Sequence, residues 1–164
     1  KPNNDADRLF RIMREVVQKF PDYETQLAPR LILGLWHPSF IAPAKKYVPA
    51  LRRAQGTVVL VNSGAGFTAS GGNAVYAASK FALRALADSL RQELEPDLVR
   101  VASVHPGPTD TEMLRGIHDS IGKQHRPEEY ILPESVGRAV RAVVDASPDV
   151  QLTSVSVRPR QEQR

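Results

Sequence analysis

Apolar residues recur at helical spacing in four stretches of the chain and form short continuous runs in four others. The first pattern is typical of amphipathic helices, and the second of strands that are buried on both faces. The predicted helices are a first one, capped by Asn4 or Asp5 and ended by Pro21, and then 42–54, 74–95 and 133–144. The predicted strands are 30–36, 57–62, 99–104 and 150–157.

After the first helix, strands and helices alternate along the chain. That order is typical of a parallel sheet with helices on its faces, so we predict a three-layer α/β fold around a small parallel sheet. Two prolines fall in the helix predicted at 42–54. Pro43 suits a first turn, whereas Pro49 is expected to kink the helix or delay its start. The 164 residues are most simply one domain, 1–164.

The composition is that of an ordinary globular protein, with 41% hydrophobic and 24% charged residues, which excludes wholesale disorder. The formal net charge of +4 does not indicate nucleic-acid binding, because basic residues are interleaved with acidic ones and form no stripe with aromatic residues. The chain has no cysteine, no apolar run long enough to span a bilayer and no secretion signal at its polar start. We therefore expect no nucleic-acid or membrane partner, and a cytoplasmic location.

Three polar residues are spaced for proton transfer. Tyr76 and Lys80 stand four apart in a predicted helix, so they share one face. A phenol ordinarily titrates near pH 10, about three units too high for easy proton exchange at neutral pH, and a nearby ammonium lowers that value. Ser63 follows a predicted parallel strand, at the sheet edge where α/β proteins build their sites. Its hydroxyl is placed to hydrogen-bond the oxygen of an alcohol or carbonyl substrate.

Three segments surround these residues in order: 58–66 (VVLVNSGAG), 74–80 (AVYAASK) and 104–113 (VHPGPTDTEM). Tyr-x-x-x-Lys alone is an unspecific motif, but the three segments together resemble the catalytic half of a short-chain dehydrogenase/reductase, over about residues 49–158. The resemblance implies half of a Rossmann-like doubly wound fold. It also implies an NAD(P)-dependent oxidoreductase that acts on a small-molecule alcohol or carbonyl.

The resemblance also implies roles for the matched positions. Ser63 would polarise the reacting oxygen, and Tyr76 would be the acid/base. Lys80 would tune Tyr76 and hydrogen-bond the nicotinamide ribose, and Tyr76 would also belong to the cofactor-binding residues. Other matched positions would lie against the nicotinamide of NAD or NADP: Pro106, Gly107, Thr109 and Thr111. Residues 116–129 fall where the family keeps its variable substrate loop, so they indicate little about the substrate.

Part of the family pattern is missing from the sequence. There is no G-x-x-x-G-x-G turn to hold a pyrophosphate at a helix N-terminus, and LWHP at 35–38 stands where the family has Asn-Asn-Ala-Gly. The sequence therefore predicts the chemistry residues without the adenosine half of the cofactor site. We expect NAD or NADP to bind weakly or not at all.

Residues 1–50 do not resemble that family. The stretch 30–45 (RLILGLWHPSFIAPAK) is similar to a segment of fungal glycerophosphodiester phosphodiesterases, which are β/α barrels. The catalytic motifs of that family do not occur, so no phosphodiesterase activity carries over. A junction at about 49–54 would make the chain a chimera, with a helix–strand–helix segment at 1–50 and the dehydrogenase-like part at 50–158.

The histidines have simpler interpretations than catalysis. His118 and His125 lie close in sequence with no third ligand at suitable spacing, so we expect solvent-exposed side chains and no metal site. His105 closes a strand and is expected to pack or hydrogen-bond locally. A Ser63–His105–Asp110 hydrolase triad is disfavoured, because Val61 stands where the nucleophile elbow G-x-S-x-G needs its first glycine.

Two functional hypotheses remain open from the sequence. The chain is either an oxidoreductase that works through Ser63, Tyr76 and Lys80, or a folded but inactive fragment or engineered chimera that keeps those residues. The side chains of all three are expected to converge at the carboxyl edge of the sheet. An uncovered edge strand and uncovered helix faces predict a homo-oligomer.

Overall fold

The computed structural model describes residues 30–33 and 41–161. The elements in chain order are β1 (Arg30–Leu33), α1 (Ile41–Ala54), β2 (Thr57–Val61), α2 (Ala74–Leu94), β3 (Arg100–Pro106), α3 (Glu112–Ser120), α4 (Pro133–Val144) and β4 (Ser154–Val157). Single-turn 3₁₀ helices occupy Gly64–Gly66, Glu95–Asp97 and Pro127–Glu129. The helix predicted to end at Pro21 and the segment 34–40 lie outside the described residues.

The four strands form one parallel sheet in the order β1-β2-β3-β4. In register, Leu31 pairs with Val58, and Val58 pairs in turn with Val101. The prediction of an α/β fold around a small parallel sheet is confirmed, and the sheet is Rossmann-like.

The core is divided between the two faces of the sheet, because successive strand residues point to opposite sides. Val58, Leu60 and Val101 point to one face, where α1 and α2 cover them with Leu51 and Leu83. On the opposite face the smaller cluster is covered by α4, and consists of Val59, Ala102, Val104, Val143 and Val144. The helices therefore sandwich the sheet in three layers.

The crossover from β3 to β4 has the opposite hand to the two crossovers before it. All three connections step to the next strand in the same direction, but α1 and α2 lie on one face and α4 on the other. About 98% of parallel crossovers are right-handed. Because this sheet has crossovers of both hands, it contains at least one of the rare left-handed kind. As a consequence, residues 107–132 must pass the carboxyl edge of the sheet to reach the far face.

Three sequence predictions differ from the structure. Pro49 does not delay the start of α1, which begins at Ile41; Val48 and Leu51 on either side of the proline pack into the core. Residue Val150 was predicted to be in a strand but lies in a turn, where its N–H bonds Ser147 O at 2.9 Å. No helix was predicted between 95 and 133, but the structure has α3 there.

The helix α3 is held by its N-terminus rather than by an apolar face. Thr111 caps it, because its Oγ1 accepts a hydrogen bond of 3.3 Å from the N–H of Leu114. The negative charge of Glu112 in the first turn interacts favourably with the positive end of the helix dipole. Met113 and Ile117 are 51% and 48% exposed, so burial of apolar side chains contributes little to the helix.

Candidate active site

Ser63 lies directly beyond the carboxyl end of β2, as predicted. Ser63 has an extended backbone and is the N-cap of the 3₁₀ helix Gly64–Gly66. The Oγ atom of Ser63 accepts a hydrogen bond of 3.2 Å from the N–H of Ala65. A hydroxyl that accepts in this way keeps its own hydrogen for donation. The half-buried Ser63 can therefore still donate to a substrate oxygen.

Tyr76 and Lys80 lie in the first two turns of α2 and share a face. The Nζ atom of Lys80 is 5.5 Å from the centre of the half-buried Tyr76 ring. Lys80 is only 3% exposed, and this burial lowers the pKa of its ammonium. The 3₁₀ helix after Ser63 packs against α2. The elements that carry the three side chains are thus in contact, while convergence of Ser63 Oγ, Tyr76 OH and Lys80 Nζ stays a prediction.

Asn62 connects these elements, and sequence reasoning did not find it. Its side chain is buried, accepts a hydrogen bond of 2.9 Å from the N–H of Ser63 and donates one of 3.1 Å to the C=O of Lys80. Its N–H reaches the C=O of Val104 on β3 at 2.7 Å. The only signal in the sequence is a polar residue placed directly after a buried strand.

His105 packs and bonds locally, as predicted. It is 1% exposed, and its Nδ1 lies 3.1 Å from the backbone oxygen of Ser63. Burial is the main reason why its pKa is lowered. His105 does not contact the Ser63 hydroxyl among these bonds, and Asp110 bonds Arg115 and His125 instead. This arrangement gives a hydrolase triad no support.

The segment that starts with Pro106 and Gly107 is fixed to β4 and to the loop before α4. The N–H of Gly107 donates to Val157 O at 2.7 Å. Thr109 pairs with Ile131 in a parallel bridge, and its Oγ1 donates to the C=O of Gly107 at 2.9 Å. Because Thr111 caps α3, both threonine hydroxyls have local partners.

The glycines after β2 are required by packing. A Cβ on Gly66 would lie 3.0 Å from both Asn62 Oδ1 and the Lys80 oxygen, and one on Gly64 would lie 2.7 Å from a guanidinium nitrogen of Arg158. Backbone that cradles a phosphate needs open space on that side. This turn therefore does not fit a pyrophosphate.

The prediction that His118 and His125 are solvent-exposed is wrong. His118 is 5% exposed and His125 half-buried. Their Nδ1 atoms lie 3.0 Å apart, Tyr130 OH lies 3.4 Å from His118 Nε2, and His125 Nε2 lies 2.9 Å from Asp110 Oδ1. The Asp110 carboxylate can only accept a hydrogen bond, so His125 Nε2 donates to it. With one proton on each ring, His118 Nδ1 then donates to His125 Nδ1, and Tyr130 OH donates to His118 Nε2. This network satisfies the buried nitrogens.

Arg115 anchors the carboxylate end of that network. Its guanidinium approaches Asp110 Oδ1 at 2.8 Å, and this hydrogen bond is the main reason why the pKa of Asp110 is lowered. Within the described ranges no group of three or more His, Asp or Glu side chains is placed to hold a metal ion.

Comparison with known proteins assigns the family. The family of short chain dehydrogenases matches residues 37–121, which is more than half of the chain. The chain therefore belongs to the short-chain dehydrogenase family. The match begins upstream of Pro49 and so includes α1, whereas the predicted resemblance began near that residue; a chimeric origin of the preceding residues stays a prediction.

Individual relatives are similar over parts of their length. An uncharacterized oxidoreductase of Listeria innocua is 30% identical over 128 residues, which cover 74% of this chain and 48% of that protein. An uncharacterized NAD-dependent oxidoreductase of Mycobacterium tuberculosis is 49% identical over 59 residues, 36% of this chain and 22% of its own. The chain spans at most about half the length of these relatives.

Solved structures show the same fold. The alcohol dehydrogenase of the archaeon Thermococcus sibiricus, complexed with 5-hydroxy-NADP, superposes with a TM-score of 0.64 at 20% identity. The alignment covers 97% of this chain and 84% of that one. In the part of the chain that the structure describes, no helix has the length and apolar character to cross a membrane.

Proposed function

We propose that this chain is the catalytic half of an NAD(P)-dependent oxidoreductase that interconverts an alcohol and a carbonyl. Ser63 donates a hydrogen bond to the reacting oxygen, and the Tyr76 hydroxyl exchanges the proton with it. Lys80 stabilises the phenolate form of Tyr76. The nicotinamide, when bound, accepts or supplies the hydride.

The observation that carries this proposal is the position of Lys80 beside Tyr76. The ammonium nitrogen lies 5.5 Å from the ring centre, and the side chain is almost fully buried. Burying an ammonium costs free energy, and proteins keep such groups mainly where they serve a site. Family membership supplies the reaction class that uses a tyrosine and a lysine at this spacing.

A second candidate is a folded chain without turnover. Three observations favour it: Gly64 and Gly66 face protein atoms, the hydroxyls of Thr109 and Thr111 bond within their own segment, and the sequence has no G-x-x-x-G-x-G turn. Charge-assisted bonds to a pyrophosphate contribute about 1.5–3 kcal/mol each. The loss of two would weaken binding on the order of a hundredfold or more.

Calorimetric titration of the chain with NADH and with NADPH measures how well the cofactor is held. We expect weak or undetectable binding of both, because the sequence has no G-x-x-x-G-x-G turn and the glycines after β2 face protein atoms. Micromolar affinity for either cofactor would contradict the expected weak site and favour a working reductase.

A matched pair of tyrosine variants tests the chemistry. Loss of reduced-nicotinamide fluorescence is followed with a panel of small ketones, at one high cofactor concentration that is the same for every variant. We expect Tyr76→Phe to lower the rate by about a hundred- to ten-thousandfold, since it removes the proton donor. Tyr47→Phe is the control, because Tyr47 is an exposed tyrosine on α1. Equal rates for the two variants would remove Tyr76 from the reaction.

We also propose that the chain forms a homo-oligomer. The apolar side chains of Val75 and Phe81 on α2 are 87% and 41% exposed, and such surfaces favour association. Light scattering is expected to give at least twice the mass of one chain, and Val75→Asp to lower it. A monomer at high protein concentration would contradict this proposal.

A further inference from the structure

The loop after α3 is anchored by the side chain of His125. From Asp119 to Glu128, a stretch that the structure describes in full, His125 is half-buried and every other residue is exposed. Its partner His118 lies in the last turn of α3 and is 5% exposed. The contact between the two rings therefore holds the loop against the helix, and neither ring takes part in the proposed reaction.

The hydrogen bond between the rings has room for one hydrogen only. The two Nδ1 atoms lie 3.0 Å apart, so one ring must donate and the other must accept. His125 Nε2 donates to Asp110 Oδ1 at 2.9 Å, and while both rings are neutral the hydrogen between them belongs to His118. The Nε2 atom of His118 then carries no hydrogen and faces the hydroxyl of Tyr130 at 3.4 Å.

The pair can take up a first proton without breaking this contact. When His118 Nε2 gains a hydrogen, the Tyr130 oxygen can accept from it instead of donating to it. A second proton must go to His125 Nδ1, which is then the one ring nitrogen of the pair without a hydrogen. Two N–H groups would face each other across 3.0 Å, in cationic rings whose centres lie 5.1 Å apart. The second proton is therefore incompatible with the contact, because like charges repel at this distance.

The surrounding charges decide which ring leaves. They come from the segment before α3, from α3 and from the loop after it: Asp110, Arg115, Asp119, Lys123, Arg126 and Glu129. Burial is the main reason why the pKa of His118 is lowered, and the nearby ammonium of Lys123 adds to the effect, while the acidic side chains on α3 and in the loop oppose it. The Asp110 carboxylate, which Arg115 keeps ionised, is placed to pair with a charged His125. His118 is therefore the ring that acid expels.

We propose that the His118–His125 pair is an acid-sensitive latch, which holds the loop on α3 until both rings are charged and then releases it. The ring of His118 turns out of the interior, while His125 keeps its bond to Asp110. The last turn of α3 loosens with it, because the N–H groups of Ile121 and Lys123 both bond the backbone oxygen of His118, at 3.2 and 2.9 Å. This latch does not depend on the proposed oxidoreductase activity.

Nuclear magnetic resonance of the ¹⁵N-labelled chain from pH 8 to pH 4 tests the latch. We expect a scalar coupling between the Nδ1 atoms of His118 and His125 across their hydrogen bond. The pair should take up its protons in two steps, and the coupling should persist through the first and vanish in the second, below pH 6.5. Hydrogen exchange at the amides of Ile121 and Lys123, corrected for the intrinsic rate, should speed up about tenfold or more in the second step. Independent titration of the rings, or exchange that is constant through the second step, would overturn the proposal.

A matched pair of histidine variants gives an independent readout. In His118→Asn the side-chain amide can donate to neutral His125 Nδ1, and its oxygen can accept from the charged ring. The acid-induced exchange at Ile121 and Lys123 should therefore disappear in this variant. His105→Asn is the control, since it removes a different buried histidine and should respond to acid like the unchanged chain. Exchange that persists in His118→Asn, or that disappears equally in both variants, would show that other groups open the loop and would overturn the proposal. The coupling in the unchanged chain decides the matter if His118→Asn does not fold.

Discussion

The side-chain amide of Asn62 donates a hydrogen bond of 3.1 Å to the carbonyl oxygen of Lys80, and so joins the end of β2 to α2. The same side chain accepts from the N–H of Ser63. We expect Asn62→Leu to lower the free energy of unfolding by about 2–4 kcal/mol, because two buried hydrogen bonds are lost. Urea unfolding followed by circular dichroism measures the change.

Asn62→Asp is the matched variant, since it keeps the acceptor for Ser63 but loses the donor to Lys80. Its stability at neutral pH should still fall. A loss below about 0.5 kcal/mol for Asn62→Leu would show that the connection is not needed for folding.

We expect the buried ammonium of Lys80 to lower the stability of the folded chain. Burial lowers the pKa of its ammonium, which means that the charged form is less favourable in the folded chain than in water. Lys80→Met keeps the length of the side chain without the charge. We expect thermal or urea unfolding to show a gain of about 1–2 kcal/mol, because Met removes the cost of burying an ammonium.

The control for this prediction is Lys123→Met, because Lys123 is exposed near the end of α3. That change should alter the stability by less than about 0.5 kcal/mol. A clear destabilisation by Lys80→Met would show that the charged form of Lys80 is net favourable where it lies.

His105 should make the stability of the chain depend on pH. Its pKa in the folded chain is lowered from 6.5, so below that pH the unfolded chain binds more protons than the folded one. Stability from this group is therefore fully present above pH 6.5 and falls as the pH falls toward the lowered value. His105→Asn removes the titrating ring but can still donate to the Ser63 carbonyl.

The test for His105 is the difference in free energy of unfolding by urea between the unchanged chain and His105→Asn, measured from pH 8 to pH 5. We expect this difference to change in favour of the Asn variant as the pH falls below 6.5. His118, whose pKa is also lowered, is common to both chains and cancels. A difference that is constant with pH would contradict the prediction.

Two glycine substitutions should have opposite effects on the free energy of unfolding. A Cβ on Gly107 would lie 3.1 Å from Pro159 Cδ and 3.4 Å from the Val157 oxygen, so Gly107→Ala must displace the segment beside β4. We expect a loss of about 1–3 kcal/mol. Gly137 in α4 has open space around it, and Gly137→Ala should add about 0.5–1 kcal/mol. Urea unfolding of both variants tests the pair, and a stabilising Gly107→Ala would contradict it.

The sequence was sufficient for the sheet and the main helices. The β-branched run Thr57–Val61 follows Gly56 and predicts a buried strand, and apolar spacing from Val75 to Leu94 predicts α2. Both elements are predictable because their apolar side chains are buried, and burial produces a regular pattern of apolar residues in the sequence. The positions of Ser63, Tyr76 and Lys80 on those elements follow directly.

Patterns of apolar residues did not reveal the parts that depend on polar contacts. The cap from Thr111 forms α3, and a network through Asp110 buries His118. Asn62 and Ser103 are single polar residues whose environments exist only after β2, β3 and α2 are assembled. Such long-range contacts leave no periodic signal in the sequence.

The crossover to β4, whose hand differs from that of the other two, has a consequence for the order of folding. β1, β2 and β3 with α1 and α2 repeat one arrangement on one face, whereas α4 docks only after residues 107–132 have passed the sheet edge. Contacts of α4 should therefore form after the rate-limiting step. We expect Val143→Ala to speed unfolding with little change in the folding rate, and Leu83→Ala to slow folding. Stopped-flow measurements in urea would distinguish them, and a slower folding rate for Val143→Ala would place α4 in the folding nucleus.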